Sequence, residues 1–196
     1  MAEWFKAAVL KTVERKFRGF ESYSLRQFEE RNWLVEYKRK NLINLFKSIL
    51  HNIGVAIVGL GVAFIGTRLD SLLRIHRFNS ILATAAAWLL LSTGFLLRVW
   101  ATYYFYNRRM KVVSLAPQKT LITSGPYSFT RNPLYLGGNV FIFFGASLLL
   151  GSISALIITT IQIFLVDLFI RREERQLEKI FGEEWVSYKK RVRRWL

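Results

Sequence analysis

The sequence contains no cysteine and only two histidines among its 196 residues. Without cysteine the chain can form no disulfide, no thiolate nucleophile and no cysteine-ligated metal site. With only His51 and His76, a histidine-rich metal site is not expected either. Acidic residues are scarce as well, 13 against 29 lysines and arginines, so the formal net charge is +16. Any chemistry in this basic chain must therefore come from other residue types.

Long apolar runs are abundant, and hydrophobic residues make up 52% of the chain. The last run, from Leu134 to Ile170, is too long for one span, because about 20 residues cross a bilayer. Gly151-Ser152 divides it into two spans joined by a tight turn. We therefore predict an all-α polytopic membrane protein with a C-terminal helical hairpin, an amphipathic cytoplasmic tail and four spans, at about 49–67, 81–106, 134–150 and 153–170.

The basic residues crowd the ends of the apolar runs, which is typical of a membrane protein and not of a nucleic-acid binder. Segment 1–48 holds eleven Lys/Arg, segment 107–133 holds five with no acid, and segment 171–196 holds nine. With four spans these three segments share one side of the membrane. Because basic loops favour the cytoplasm, we predict that both termini are cytoplasmic. Because the basic residues lie at the ends of apolar runs, we predict membrane lipids, and not nucleic acid, as partners.

Residues 1–48 are predicted to be a basic N-terminal segment, and 49–196 a membrane domain. Two interpretations of residues 1–26 stay open. One is an amphipathic helix on the lipid headgroups. The other is a start placed too early, because the strings from Glu3 to Thr12 and from Gly19 to Arg26 resemble a translated serine-tRNA gene. No function is assigned to these residues.

The most informative segment begins at Pro117. Gly125-Pro126 indicates a turn. Asn132 precedes Pro133 and should be extended, while Pro133 suits the first turn of the third helix. We therefore expect Asn132 to cap that helix, and the helix start with Arg131 to form an anion site.

The C-terminal segment is rich in paired charges and aromatic residues. Glu173-Glu174 follows the last apolar run, where carboxylates are costly beside a membrane. Gly182 is expected to end that helix. Trp185, Tyr188 and Trp195 then indicate an amphipathic segment.

Taken in order, four motifs resemble the isoprenylcysteine carboxyl methyltransferase family and its phospholipid methyltransferase relatives. They are separated by a hairpin of suitable length, and the resemblance covers Pro117 to about Val192. The motifs are Lys119-Thr120-Leu121-Ile122-Thr123-Ser124-Gly125-Pro126-Tyr127, Arg131-Asn132-Pro133-Leu134-Tyr135-Leu136-Gly137, Glu173-Glu174 with Leu177, and Phe181-Gly182-Glu183-Glu184 with Tyr188.

The resemblance implies an enzyme that transfers a methyl group from S-adenosylmethionine to a lipophilic acceptor. It places the cofactor site in 117–137 and 171–192, on the cytoplasmic side. Beside the resemblance, we take Glu174 and Arg131 as the candidate catalytic residues. The implied cofactor-binding residues are Lys119, Thr120, Leu121, Ile122, Tyr127, Asn132, Pro133, Leu134, Tyr135 and Glu173.

One position departs from the family motif, because Asn132 stands where the family has histidine. Asparagine can form hydrogen bonds but does not titrate near neutrality, so a general acid or base is not expected there. A carboxylate acceptor needs no base, whereas a protonated amine must first lose a proton, for which Glu174 is the candidate.

Two arginines outside the motifs are candidate acceptor-binding residues. Arg98 lies inside the second apolar run, where it either snorkels towards the interface or binds an anionic group of the substrate, with Asp167 as a further candidate partner. Arg171 precedes the paired glutamates, close to where family members place an arginine.

Three alternative functions stay open at this point. For a methyltransferase, the candidate acceptors are the carboxylate of a prenylated cysteine, a phospholipid amine or another lipophilic molecule. An NADPH-dependent reductase of the sterol reductase type shares a similar C-terminal half, but its motif has asparagine where this chain has Leu134. A non-catalytic membrane protein that binds anionic lipids is the last alternative.

Overall fold

The structure is a computed structural model that describes residues 2–108, 110 and 120–196, with side chains described from Trp33 onwards. Every regular element in these ranges is helical, so the predicted all-α polytopic membrane fold is confirmed. The elements are α1 (Ala2–Leu73), α2 (Ile81–Asn107), a 3-10 turn (Gly125–Ser128), α3 (Pro133–Tyr135), a π segment (Leu136–Ile142), α4 (Phe143–Leu149), α5 (Ile153–Phe181) and α6 (Glu183–Arg191).

The chain divides into two compact units, Met1–Ile43 and Asn44–Leu196. The first unit is helical, and within it the rings of Trp33 and Tyr37 stack with their centroids 5.3 Å apart. The side chains of residues 1–26 lie outside the described ones, so both interpretations of that segment stay predictions. All contacts discussed below lie within the second unit.

Three helices are long and apolar enough to cross a membrane: Trp33–Leu73, Ile81–Asn107 and Ile153–Phe181. The stretch Pro133–Leu149 is also apolar but shorter. At 1.5 Å per residue it spans roughly 25 Å, against about 30 Å for the hydrocarbon core. The chain is thus a membrane protein with three long apolar helices and a shorter fourth. The predicted first span, 49–67, lies inside a longer helical segment.

Small residues let the helices of the second unit pack closely. A Cβ atom on Gly94 of α2 would lie 2.6 Å from the carbonyl oxygen of Gly137. A Cβ atom on Gly66 of α1 would lie 2.6 Å from the backbone of Ala155. Such contacts between backbones are typical of membrane helices, whose association depends on close packing. The contact at Gly94 brings the middle of α2 directly against the start of the third apolar helix, and the contact at Gly66 brings α1 against α5.

The hairpin turns where the sequence predicted, at Gly151-Ser152. Gly151 has a φ of +60°, a conformation that glycine adopts without strain. Ser152 is the N-cap of α5. Asp70, at the end of α1, is buried and accepts hydrogen bonds from the Ser152 hydroxyl at 2.6 Å and from the Ser154 amide at 2.9 Å. The turn is therefore held against α1, because the Asp70 carboxylate of α1 binds the start of α5.

A π segment, Leu136–Ile142, interrupts the third apolar helix directly after α3. The sequence predicted an uninterrupted helix here, so this feature was missed. π-helical turns are rare and are frequently found at functional sites. Here the segment includes Gly137 and Gly138, both buried against α2.

The predicted end of α5 at Gly182 is confirmed, with φ +51° at that residue. α6 follows and is amphipathic, as expected. Trp185 and Tyr188 are buried and form an apolar cluster with Val192. The tail therefore folds back on the protein and is not a free cytoplasmic helix.

Candidate functional site

The start of the hairpin, at α3, and the part of α5 that follows its apolar run meet through one side-chain contact. The hydroxyl of Tyr135, on α3, donates a hydrogen bond to Oε2 of Glu173, on α5, at 3.1 Å. Both side chains are half-buried. Two segments that are separate in the sequence, and that were both expected to bind the cofactor, are thus brought together.

Glu174, the next residue, is buried and held by two arginines. Its Oε1 lies 3.2 Å from Nη2 of Arg131, and its Oε2 lies 2.7 Å from Nη2 of Arg194. The hydrogen bond to Glu174 raises the pKa of Arg194. Both carboxylate oxygens of Glu174 are thus engaged by guanidinium groups. This geometry favours a counter-ion over the general base considered in the sequence analysis; the catalytic role of Glu174 stays a prediction.

Arg131 retains unused hydrogen-bonding capacity. Its side chain is buried, and its guanidinium lies over the ring of Trp185 with Cζ 5.7 Å from the centroid. Among the described residues, Nε and Nη1 of Arg131 and Nε1 of Trp185 have no hydrogen-bond partner. Buried donors without acceptors are costly, so an anionic group bound here would be stabilised.

Asn132 occupies the N-cap position of α3, but its side chain makes no capping hydrogen bond. Its Nδ2 instead donates to the carbonyl oxygen of Arg194 at 3.3 Å. The prediction of a capping side chain is therefore wrong, and the amide group of Asn132 is held by the C-terminal tail instead. The anion site expected at the helix start, with Arg131 beside it, stays a prediction. Pro133 is buried at the first helical position, as predicted.

The C-terminal tail covers the segment that precedes α3. Tyr188 donates its hydroxyl to the carbonyl oxygen of Tyr127 at 2.6 Å, and the amide of Arg131 donates to the carbonyl of Arg193 at 2.9 Å. Burial raises the pKa of Tyr188 to about 12. Tyr127 is itself buried beside Phe105, and burial raises its pKa well above the usual value. Its hydroxyl has no partner among the described residues.

The loop expected to line the cofactor is described from Thr120 onwards, and Lys119 lies outside the described residues. Thr120 is exposed. Leu121 packs against the Trp185 cluster, while Ile122 is buried in the cluster that contains Tyr127. The side chains of Leu121 and Ile122 therefore anchor the loop from both sides, which leaves its backbone as the part available to a ligand.

Arg98 does not snorkel to the interface. It is buried, its Nε donates to Oδ1 of Asn52 at 2.7 Å, and its Nη1 donates to the carbonyl of Leu134 at 2.6 Å. Asp167, considered as its partner, instead bonds Arg171 at 2.7 Å and lies 3.6 Å from Nη1 of Arg194. Arg98 thus contacts the predicted cofactor segment through the Leu134 backbone.

Arg171 is exposed and forms its ion pair with Asp167 one helical turn earlier. It lies two residues before Glu173, on the same end of α5 as the site. Its predicted contact with the acceptor stays a prediction.

Sequence reasoning missed Arg194, because the nine Lys/Arg of the tail were used only to predict its orientation in the membrane. A signal was present: Trp185, Tyr188 and Val192 have the spacing of one helical face. Burying that face turns the chain back and carries Arg194 to Glu174. Asn52 was also missed, since a single asparagine in an apolar run carries no motif.

The profile of the phospholipid methyltransferase family matches residues 82–184, which is more than half of the 196 residues. The matched range contains α2 except its first residue, the hairpin and both glutamates of the site. In comparisons with curated proteins and with solved structures, nothing matches the chain. The family match covers the same hairpin and contact that the geometry singles out, and this membrane protein belongs to the phospholipid methyltransferase family.

Proposed function

We propose that this protein transfers a methyl group from S-adenosylmethionine to a lipophilic acceptor at the membrane surface. The observation that carries the proposal is the hydrogen bond between Tyr135 and Glu173, 3.1 Å long, which joins the two ends of the hairpin. Membership of a family of membrane methyltransferases supports the reaction type. A contact between these two ends is what a cofactor site built from both motifs requires.

The polar groups at this end of the hairpin fit S-adenosylmethionine. The cofactor carries a carboxylate, an ammonium group, two ribose hydroxyls and a sulfonium. The unpartnered donors of Arg131 suit the carboxylate. Tyr135 occupies Oε2 of Glu173, and we assign Oε1 to the ammonium group or a ribose hydroxyl. The hydroxyl of Tyr127 is a third polar group without a partner among the described residues.

The remaining cofactor contacts are proposed from the loop and from α3. Lys119, Thr120, Leu121 and Ile122 would contribute mainly backbone groups, because Leu121 and Ile122 point into apolar clusters. Asn132, Pro133 and Leu134 would hold the cofactor against α5. In this arrangement Glu174 keeps Arg131 in place from behind.

When bound, the sulfonium supplies a methyl group that is already strongly electrophilic. The protein therefore has to align the acceptor with that methyl group and exclude water. A carboxylate acceptor needs no proton transfer. An amine acceptor needs a base, and Glu173 is better suited than Glu174, because both oxygens of Glu174 are engaged by arginines.

Two acceptor classes are each supported by one observation. The carboxylate of a prenylated cysteine suits a site whose buried glutamate is held as a counter-ion. A phospholipid amine suits the description of the matching family. Transfer of a labelled methyl group to a farnesyl-cysteine derivative and to phosphatidylethanolamine vesicles, measured side by side, distinguishes them.

The open end of the hairpin is the end opposite the Gly151-Ser152 turn, where Asn132–Tyr135 meets Glu173-Glu174. We also propose that this open end and both termini face the cytoplasm. The nine Lys/Arg of segment 171–196 lie at the same end of α5 as Glu173. This supports the four-span arrangement, in which the short third apolar helix crosses with α5 as a hairpin. Accessibility of single cysteines, introduced at the tail and beside Arg77 in this cysteine-free chain, to a membrane-impermeant reagent tests the orientation.

Calorimetry of the detergent-purified protein tests the central proposal. We expect binding of S-adenosylhomocysteine and no binding of NADPH. Folded protein that binds NADPH in its place would favour the reductase alternative. Folded protein that binds neither compound but does bind anionic vesicles would favour a non-catalytic lipid-binding role.

A further inference from the structure

We propose that Arg98 is a positioning residue that sets the geometry of the cofactor site from within the membrane domain. It holds the Leu134 carbonyl and thereby orients Tyr135 towards Glu173. This inference rests on the proposed function, because it concerns the same site. Arg98 then acts on the cofactor site through the backbone and does not bind an anionic group of the acceptor.

The contacts of Arg98 point into the protein. Arg98 is buried at 8% exposure, Nη1 donates to the Leu134 carbonyl at 2.6 Å, and Nε donates to Oδ1 of Asn52 at 2.7 Å. Hydrogen bonds from a charged donor are shorter and stronger than neutral ones. The guanidinium therefore joins α1, α2 and α3 at one point.

Asn52 is itself held in one orientation. Its Nδ2 donates to the Ser48 carbonyl at 2.8 Å and to Oγ1 of Thr102 at 2.8 Å. Thr102 in turn donates to the carbonyl of Arg98 at 2.8 Å. A fully bonded polar network is rigid and costly to rearrange in an apolar surrounding. Oδ1 of Asn52 is thus a fixed acceptor, and it directs the planar guanidinium towards α3.

Two consecutive glycines make room for Arg98. A Cβ atom on Gly138 would lie 2.5 Å from Nη1, and one on Gly137 would lie 2.8 Å from Cγ of Arg98. Any side chain at Gly138 would push the guanidinium away from Leu134. The glycine pair, the arginine and the π segment that begins at Leu136 therefore form one structural unit.

The bond to Leu134 acts on Tyr135 through the backbone. The Leu134 carbonyl and the Tyr135 amide belong to one planar peptide group, so fixing the oxygen fixes the plane from which Tyr135 projects. The Tyr135 hydroxyl then meets Glu173 at 3.1 Å. Loss of the Arg98 bond should therefore weaken cofactor binding, although Arg98 makes no contact with Glu173.

Two substitutions test this from different directions. Arg98→Met removes the donors and keeps an apolar stem. Gly138→Ala keeps Arg98 and its network but displaces Nη1. The control is Gly61→Ala, where an added Cβ would meet nothing within 4 Å. We expect about tenfold weaker S-adenosylhomocysteine affinity in both variants, as for loss of one charged hydrogen bond, and an unchanged affinity in the control.

A second readout separates the roles of Arg98. At saturating S-adenosylmethionine, the KM for the acceptor should stay at the wild-type value in Gly138→Ala. A raised acceptor KM with unchanged S-adenosylhomocysteine affinity would overturn the inference in favour of an anion-binding role. A lower Tm with unchanged affinity would overturn it in favour of a purely structural role.

A measurement on the wild-type protein distinguishes failure of the proposed function from failure of the role assigned to Arg98. If wild-type protein binds no S-adenosylhomocysteine, the proposed function fails and this inference fails with it. If wild-type protein binds and both variants bind equally well, the inference alone is overturned. If Arg98→Met does not fold, Gly138→Ala still tests the inference, because this variant retains the buried Arg98 and its hydrogen-bond partner Asn52.

Discussion

The two ends of the C-terminal hairpin differ in how completely their buried polar groups are used. At the turn, Asp70 is 1% exposed, and its two oxygens accept hydrogen bonds from Ser152 and Ser154. At the open end, Nε and Nη1 of Arg131 and the hydroxyl of Tyr127 have no partner in the described part of the chain. Buried polar groups are normally paired. The polar groups at the turn are therefore paired within the protein, whereas the open end keeps polar atoms without a partner among the described residues.

The same contrast separates the two adjacent glutamates at the open end. Glu174 is engaged by Arg131 and Arg194, as Asp70 is engaged at the turn. Glu173 is half-buried and accepts one bond from Tyr135. Stability and ligand binding should therefore respond to different substitutions.

Substitution Glu174→Ala should cause the largest loss of stability. It leaves Arg131 buried without its counter-ion, which typically costs about 3–5 kcal/mol. Chemical denaturation in detergent measures the loss. The control is Glu178→Ala, whose ion pair with Lys189 is 3.4 Å long and exposed, so that less than about 1 kcal/mol is expected. Equal losses in the two variants would contradict the assignment.

Substitution Glu173→Gln should weaken S-adenosylhomocysteine binding and leave stability nearly unchanged. Removing the charge from an ionic hydrogen bond costs about 1.5–3 kcal/mol, which corresponds to roughly ten- to a hundredfold in affinity. Calorimetry measures the affinity and a thermal melt measures the stability. Full affinity in a folded Glu173→Gln protein would show that the open end does not use this carboxylate.

Substitution Asp70→Asn is the matched change at the turn and should give the opposite pattern. The amide can accept from only one of the two donors, so we expect a loss of about 1–3 kcal/mol in stability. Affinity for S-adenosylhomocysteine should not change in the folded protein. A fall in affinity comparable to that of Glu173→Gln would remove the distinction between the two ends.

The smallest effect expected is a dependence on alkaline pH through Tyr188. Burial raises its pKa from 10.0 to about 12, so the folded state retains the proton that the unfolded state loses. The stabilisation is fully present below pH 10.0 and is lost as the pH rises to about 12. Subtracting the Tm–pH curve of Tyr188→Phe from that of the wild type isolates this contribution. Parallel curves over that interval would contradict it.

Much of the fold followed from local sequence features. The apolar runs predicted a helical membrane protein, Gly151-Ser152 predicted the turn, and Gly182 predicted the end of α5. Pro133 was correctly expected at the start of a helix. These features depend on backbone conformation and on transfer of apolar side chains, which neighbouring residues in the sequence largely determine.

The predictions that were wrong concern contacts between residues far apart in the chain. The side chain of Asn132 makes no capping hydrogen bond, and its Nδ2 donates instead to a carbonyl of the tail 62 residues later. Arg98 did not pair with Asp167, because Asn52, 46 residues earlier, lies closer in the packed structure. The π segment accompanies the close contact of Gly137 and Gly138 with Arg98.

The sequence by itself determined the membrane class, the hairpin and the family to which the chain belongs, because these depend on hydrophobicity, turn residues and motif order. Only the tertiary structure decided which polar groups are paired within the protein and which have no partner among the described residues. Hydrogen bonds have short range and fixed directions, so the different fates of Glu173 and Glu174 depend on where Tyr135, Arg131 and Arg194 come to lie.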